Sequence, residues 1–159
     1  LKLPTAKSHF HLEGSNAMSS TTDRTEIEAL FQRLARAHVD HDADAIVESY
    51  APDAVIYDLA PPLGRRGMTR EGVATWLGGW DGPIQIDAFA VNLTVDRELA
   101  CSSALTRMRG RINGEDQDLW FRTTMGLRNI NGQWRIVHDH SSVPFYMDGS
   151  YRAAVDLRP

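Results

Sequence analysis

The sequence predicts an α+β fold in which three N-terminal helices pack into a strongly bent antiparallel sheet. Three observations predict it. Apolar residues recur at helical spacing near the start and again around residue 73. Alternation of period two runs from residue 84 onward. Asn-Gly pairs at 113–114 and 131–132 separate the alternating runs.

Asp23, three residues before Glu26, reads as a capping box, and Ile27, Leu30, Phe31, Leu34 and His38 follow at helical spacing. Together they predict a helix over 24–40. Asp44 reads as the cap of a short helix over 45–50, stopped by Pro52. The stretch 54–59 is strand-like and leads into a turn at Pro61-Pro62-Leu63-Gly64. Thr69 caps a third helix, with Val73, Trp76, Leu77 and Trp80 on one face and Gly82-Pro83 at its end. Ile84 and Ile86 then alternate with polar residues, whereas Phe89, Val91, Leu93 and Val95 run one step out of phase. A phase flip inside a strand marks a β-bulge, expected near Ala88. Strands over 99–112, 118–128 and 133–143 complete the sheet, with hairpin turns at both Asn-Gly pairs. Helices in the concave side of such a sheet leave a cone-shaped cavity, a pocket for a small, largely apolar ligand.

The composition excludes several classes. The chain has 159 residues, 17 Lys and Arg against 21 Asp and Glu, and a net charge of −4. A mildly acidic chain lacks the basic face that nucleic acid requires. Gly64-Arg65-Arg66-Gly67 is a two-charge turn, too little for that purpose. Cys101 stands alone, so neither an intrachain disulfide nor a cysteine zinc site forms, and a reducing, cytoplasmic location is expected. No 18-residue apolar run is present, and no membrane partner is expected. Phosphate-binding loops, a Gly-x-Ser-x-Gly elbow and a His-Glu-x-x-His motif are also missing. Ser15-Asn16-Ala17 directly before Met18 resembles an expression-vector scar, so residues 1–17 are read as a tag remnant and 18–159 as one domain.

The last hairpin admits two registers. A two-residue turn at Asn131-Gly132 pairs Ile130 with Gln133 and Met125 with His138. Leu119, Phe121, Thr123, Met125 and Leu127 then share a face with Trp134, Ile136, His138 and His140, while Arg122 and Asp139 share the opposite one. A register slipped by one, through a three-residue loop, puts the histidines with Trp120, Arg122 and Thr124. Apolar matching favours the first.

The stretches Asp58-Leu59-Ala60-Pro61-Pro62-Leu63, Asp118-Leu119-Trp120-Phe121-Arg122-Thr123-Thr124 and 132–145, with its Trp134-x-Ile136-x-His138-x-His140-x-Ser142-x-Pro144 pattern, stand in one order. That order resembles the SnoaL-like, ketosteroid-isomerase-like branch of the NTF2-like superfamily, from about residue 25 to the end. The resemblance implies the cone-shaped NTF2-like barrel and commonly a homodimer. It implies no single activity, because the superfamily holds isomerases, cyclases, epoxide hydrolases, dehydratases and non-catalytic domains.

Each candidate residue carries two readings. Asp58, at a strand end before the Pro-Pro loop, is either a partly dry carboxyl that removes a proton next to a carbonyl or a turn-forming aspartate. His138 and His140 project to one side of a strand, as acid/base groups or as hydrogen-bonded wall residues. A His-x-His pair also ligates metals, but no spacing supplies a third ligand, and no metal or other cofactor is expected. Tyr57 is a candidate oxyanion donor or a core tyrosine, and Arg122 a candidate carboxylate or enolate clamp or a surface partner of Asp139. Trp76 and Trp80 line a ligand or fill the core; Trp120 serves the ligand or a dimer interface. His38 reads as a satisfied core or rim histidine.

The function expected is a cofactor-free isomerase, cyclase or dehydratase that acts by acid/base chemistry on a small apolar or aromatic carbonyl compound. Asp58 and His140 are its expected catalytic residues, and Tyr57, Trp76, Trp80, Trp120, Arg122 and His138 its ligand contacts. The alternative is a non-catalytic ligand-binding or accessory domain. A buried carboxyl with a raised pKa distinguishes the first from the second.

Overall fold

The computed structural model describes residues 16–159. Helix α1 (Asn16–Val39) and the short α2 (Ala43–Glu48) precede strand β1 (Tyr50–Tyr57), the two-residue β2 (Arg65–Arg66) and helix α3 (Arg70–Leu77). Four long strands follow: β3 (Gln85–Asp96), β4 (Leu99–Ile112), β5 (Glu115–Ile130) and β6 (Gln133–Ser142). One six-stranded sheet results, in the order β2-β1-β6-β5-β4-β3, with β2 and β3 as its open edges. The helices are therefore not all N-terminal to the sheet, since α3 follows two strands. The sheet is also not purely antiparallel, because β1 runs parallel to β6.

Local chemistry accounts for most boundaries. Thr69 caps α3 by accepting from the Gly72 N–H. Asp42, not Asp44, caps α2, accepting from the Ala45 N–H at 3.0 Å. Asp44 pairs instead with Arg70 at 2.7 Å. The expected tag remnant lies outside the described residues up to residue 15, while Asn16 and Ala17 open α1. Because α1 starts well before Asp23, that residue is no cap. Its Oδ1 accepts from the Trp134 indole N–H at 3.2 Å, tying helix to sheet. Strand β1 starts at Tyr50 and contains Pro52, which the sequence placed before the strand. It falls where the β1–β6 register shifts between Tyr50 and Val55, a place that tolerates a residue lacking an N–H.

Both Asn-Gly turns form two-residue hairpins, pairing Ile112 with Glu115 and Ile130 with Gln133. Asn131 and Gly132 both have positive φ, 52° and 81°, as this turn requires. The bulge expected near Ala88 falls between Phe89 and Asn92, with Ala90 at φ 50°. The core lies between the concave sheet face and the helices, around Ile27, Leu30, Leu34, Ile46, Leu77, Ile84, Leu127 and Ile136. Among the described residues, no helix is long and apolar enough to cross a membrane.

Candidate functional site

A cavity of about 1120 Å³ opens between α1, α3 and the concave sheet face. That exceeds the roughly 300–1,000 Å³ of ordinary small-molecule sites. Its wall is mostly apolar: Phe31, Ile46, Ile56, Val73, Trp76, Met108, Phe121 and Met125 contribute. Polar and charged side chains border it as well, among them His38, Tyr50, Asp58, Arg65, Asp87 and Asp139.

Which face of β6 meets this cavity is decided by one residue. The hairpin leaves its turn in the expected register, and Leu127 pairs with Ile136. The pairing then shifts, with Gly126 opposite His138. Val137 is the extra residue of a β-bulge. Beyond it the expected pairing of Met125 with His138 is replaced by Met125 with Asp139 and Thr124 with His140. Asp139 therefore shares the cavity face with Met125 and Ile56, and both histidines join Arg122 and Trp120 on the outer face. This is the facing expected of a slipped register, reached by a bulge rather than by a longer loop.

Asp139 meets Tyr50 from β1. The Tyr50 hydroxyl donates to Asp139 Oδ2 at 2.7 Å, and Asp139 Oδ1 is buried with no hydrogen-bond partner. Both residues border the cavity. Burial raises the Asp139 pKa above the ordinary carboxylate value; the Tyr50 hydrogen bond partly offsets this, and the nearby Asp58 charge adds to it. Burial, reinforced by Asp139, raises the Tyr50 pKa further from neutrality, so the phenol remains protonated.

His38 on α1 is another titratable group of the wall. Its Nδ1 lies 2.7 Å from the Leu34 carbonyl oxygen, which only accepts, so Nδ1 carries the proton and Nε2 the lone pair. Burial lowers its pKa, favouring the neutral ring, and the nearby His41 adds to that while the Leu34 hydrogen bond opposes it. The ring stands edge-on to Trp76 at 5.8 Å.

The structure brings three of the sequence-expected site residues to the cavity: Tyr57, Asp58 and Trp76. Asp58 sits at the mouth, 41% exposed, where its Oδ1 accepts from the Leu59 N–H and its Oδ2 from Arg65 at 3.1 Å. Trp80 is buried against Trp76, with ring centroids 5.9 Å apart, and contributes to the core rather than to the cavity wall. Trp120 lies outside, against Phe89 at 5.0 Å and under the Arg107 guanidinium at 5.6 Å. Arg122 is exposed on that outer face and not opposite Asp139, whose partner is Tyr50. His138 is held by the Val55 carbonyl through Nδ1 at 3.0 Å. It clusters with His140 and Tyr57, whose ring lies 5.4 and 5.8 Å from the two imidazoles. Among the described residues, no three His, Cys, Asp or Glu side chains converge to hold a metal ion.

Asp139 and Tyr50 were missed as a site. Tyr50 follows directly on α2, where the helical pattern absorbed it. Asp139 stands between two histidines whose alternation pointed it outward. One signal was present: Gly126, a glycine inside a strand pattern, marks a place where pairing shifts.

Comparison with known proteins gives the following. The SnoaL-like domain family matches residues 27–146. No curated protein matches. An NTF2-like protein of unknown function from Pseudomonas putida KT2440 is 29% identical, covering 87% of this chain and 98% of its own, with a TM-score of 0.77. An NTF2-like superfamily protein from Salmonella enterica is 20% identical over 84% of this chain and 99% of its own, with a TM-score of 0.70. A protein proposed to be a scytalone dehydratase, from Novosphingobium aromaticivorans, is 15% identical over 86% of this chain and 93% of its own, with a TM-score of 0.68. The last two likenesses show the fold alone.

Proposed function

The chain belongs to the SnoaL-like family of the NTF2-like superfamily, and from that premise we propose that it is a cofactor-free acid/base enzyme for a small, largely apolar carbonyl compound, with Asp139 as the proton-transferring group. One observation carries this reading: a carboxyl bordering a large apolar cavity, bonded through one oxygen to the Tyr50 hydroxyl, with its other oxygen buried and unpartnered. Buried polar atoms are seldom left so, and functional sites are where the exceptions gather.

In this reading the Asp139 carboxylate removes a proton from the carbon next to the substrate carbonyl. The C–H bond breaks, its electron pair passes into the enolate, and the proton stays on the carboxyl. Burial makes such a carboxyl a stronger base than an exposed one, while the Tyr50 hydroxyl steadies its charged form. Return of the proton to another carbon is an isomerisation. Its delivery to a departing hydroxyl, which leaves as water, is a dehydration. Asp58 and His140 have no place in this step, since one is ion-paired at the mouth and the other faces outward.

The test is exchange of α-protons in deuterated water, with 2-tetralone as probe, followed by proton NMR. The native chain accelerates exchange over the denatured protein. Asp139→Asn loses at least roughly a hundredfold, the lower range for a lost acid/base group. His140→Ala keeps full activity. Equal exchange by Asp139→Asn and the native chain would remove Asp139 from the chemistry. Binding of the probe with no exchange by either would favour a non-catalytic pocket.

A further inference from the structure

The sheet floor of the cavity is not apolar throughout. Ser102 and Thr106 on β4, Thr123 on β5 and Ser141 on β6 all border it. The strand register gathers these hydroxyl residues into one patch. Thr123 pairs with Ala104 on one side and with Ser141 on the other, and Ser102 and Thr106 flank Ala104 along β4.

Their protons are not all spent. Thr106 and Thr123 are 5% and 8% exposed, and their hydroxyl oxygens lie 2.8 Å apart. Each hydroxyl carries one proton, and the bond between them uses one of the two. The other has no acceptor among the described residues, and the hydroxyls of Ser102 and Ser141 make no hydrogen bond there either. A buried donor without an acceptor is costly, so an accepting group is what the patch lacks. Asp139 does not supply it, because its Oδ2 is bonded to Tyr50 and its Oδ1 has no partner.

The patch also stands at a useful distance from Asp139. That residue pairs with Met125, so Thr123 is its diagonal neighbour across β5 and β6. Diagonal neighbours are about 7–8 Å apart. A carbonyl compound spans this when its α-carbon rests on Asp139 and its oxygen, two bonds further, rests on Thr123, with contacts of about 3 Å at each end. We propose that Thr106, Thr123 and Ser141 form the carbonyl-binding subsite of the cavity, donating hydrogen bonds to the oxygen of an apolar ring ketone. The proposal rests on the reading of the cavity as a site for a carbonyl compound, but not on Asp139 being its proton-transferring group. In that reaction the same donors hold the oxygen as it gains the enolate charge, where such bonds strengthen.

The carbonyl stretching band of bound 2-tetralone, read by difference infrared spectroscopy on the full chain, tests it. Hydrogen bonds to the oxygen lower the frequency, so the band lies below its position in a hydrocarbon solvent. Thr106→Val with Thr123→Val replaces both partners by groups of similar shape, which spares the fold, as urea unfolding checks. In that variant the band moves back toward its hydrocarbon position. 2-Tetralone then binds about tenfold more weakly, while tetralin, the same ring without the oxygen, binds as before. Ser141→Ala removes one donor without touching the threonine pair and moves the band part of the way, an arm that stands even if the double variant does not fold. Asp139→Asn leaves the shift in place whatever it does to proton exchange, so the two readings fail separately. A band at the hydrocarbon position in the native chain, or equal weakening of both probes in the double variant, would overturn the proposal while leaving the cavity reading intact. Binding of neither probe by the native chain would overturn both.

Discussion

Tyr50→Phe and Asp139→Leu, singly and together, probe the pair on which the site reading rests. Tyr50 is 7% exposed and its hydroxyl is 2.7 Å from Asp139 Oδ2, while Oδ1 already lacks a partner. Removing the hydroxyl leaves both carboxyl oxygens unpartnered. Stranding a buried acceptor costs about 1–3 kcal/mol, and more when the acceptor is charged. Tyr50→Phe should therefore destabilise the chain by about 2 kcal/mol at pH 7, or about 4–8 °C in Tm at this chain length. Below the ordinary carboxylate value of about 3.9 the carboxyl holds its proton and the lost bond is between neutral groups, so the loss falls to about 1 kcal/mol. Asp139→Leu also removes the buried charge, and adding Tyr50→Phe to it should cost under about 0.5 kcal/mol, because no acceptor remains to strand. The coupling at pH 7 is then about 1.5–2 kcal/mol, read by urea unfolding with an unchanged m-value. Additive costs, within about 0.5 kcal/mol, would show that the hydroxyl and the carboxyl do not support each other.

The pH dependence of stability has two limbs. Asp139 has a raised pKa in the folded chain, so the native state holds a proton that the unfolded one has released. Its contribution is complete below the ordinary carboxylate value of about 3.9 and is lost as pH rises through the raised one. Asp139→Asn should thus gain on the native chain in Tm as pH rises over that window; a constant difference would contradict the assignment. His38 has a lowered pKa, so below about 6.5 the unfolded chain takes up a proton that the folded one refuses. Stability is lost as pH falls through that range, and His38→Gln should flatten this limb in the same melts. Gly67→Ala places a Cβ against the Pro52 carbonyl at positive φ; it should lower stability by more than about 1 kcal/mol, read by urea unfolding. An unchanged midpoint would show that the turn adapts freely.

What was legible in the sequence is what is local. Thr69 announces α3 because its hydroxyl serves an N–H three residues on, and the Asn-Gly turns need only their own dihedrals. The parallel pairing of β1 with β6 joins strands far apart in the chain, and nothing in 50–57 alone states its partner. The start of α1 was hidden for a different reason. Asp23 has the form of a cap, but the helix runs past it and uses its carboxylate to hold Trp134. A local rule was outweighed by a contact of long range.

The site was illegible because strand alternation carries no memory of phase across a bulge. Between residues 138 and 142 the pattern of His, Asp, His and Ser is the same whichever side faces in; only the count of residues back to the turn decides it. Val137 changes that count by one. Up to Ile136 the apolar match with Leu127 holds, which is why the favoured register is right for the half of the hairpin that fills the core. Past the bulge the match no longer governs, because the strand has left the core for the cavity wall, where a carboxyl is tolerated if a hydroxyl meets it. Tyr50 meets it from β1. The parallel pairing sets Ile56 beside Asp139 and Tyr57 beside His140, so the inner and outer faces of both strands agree only in the shifted register. Hydrophobic patterning thus fixed the half of the strand that needs burial, and the polar contact between two strands fixed the half that bears the site.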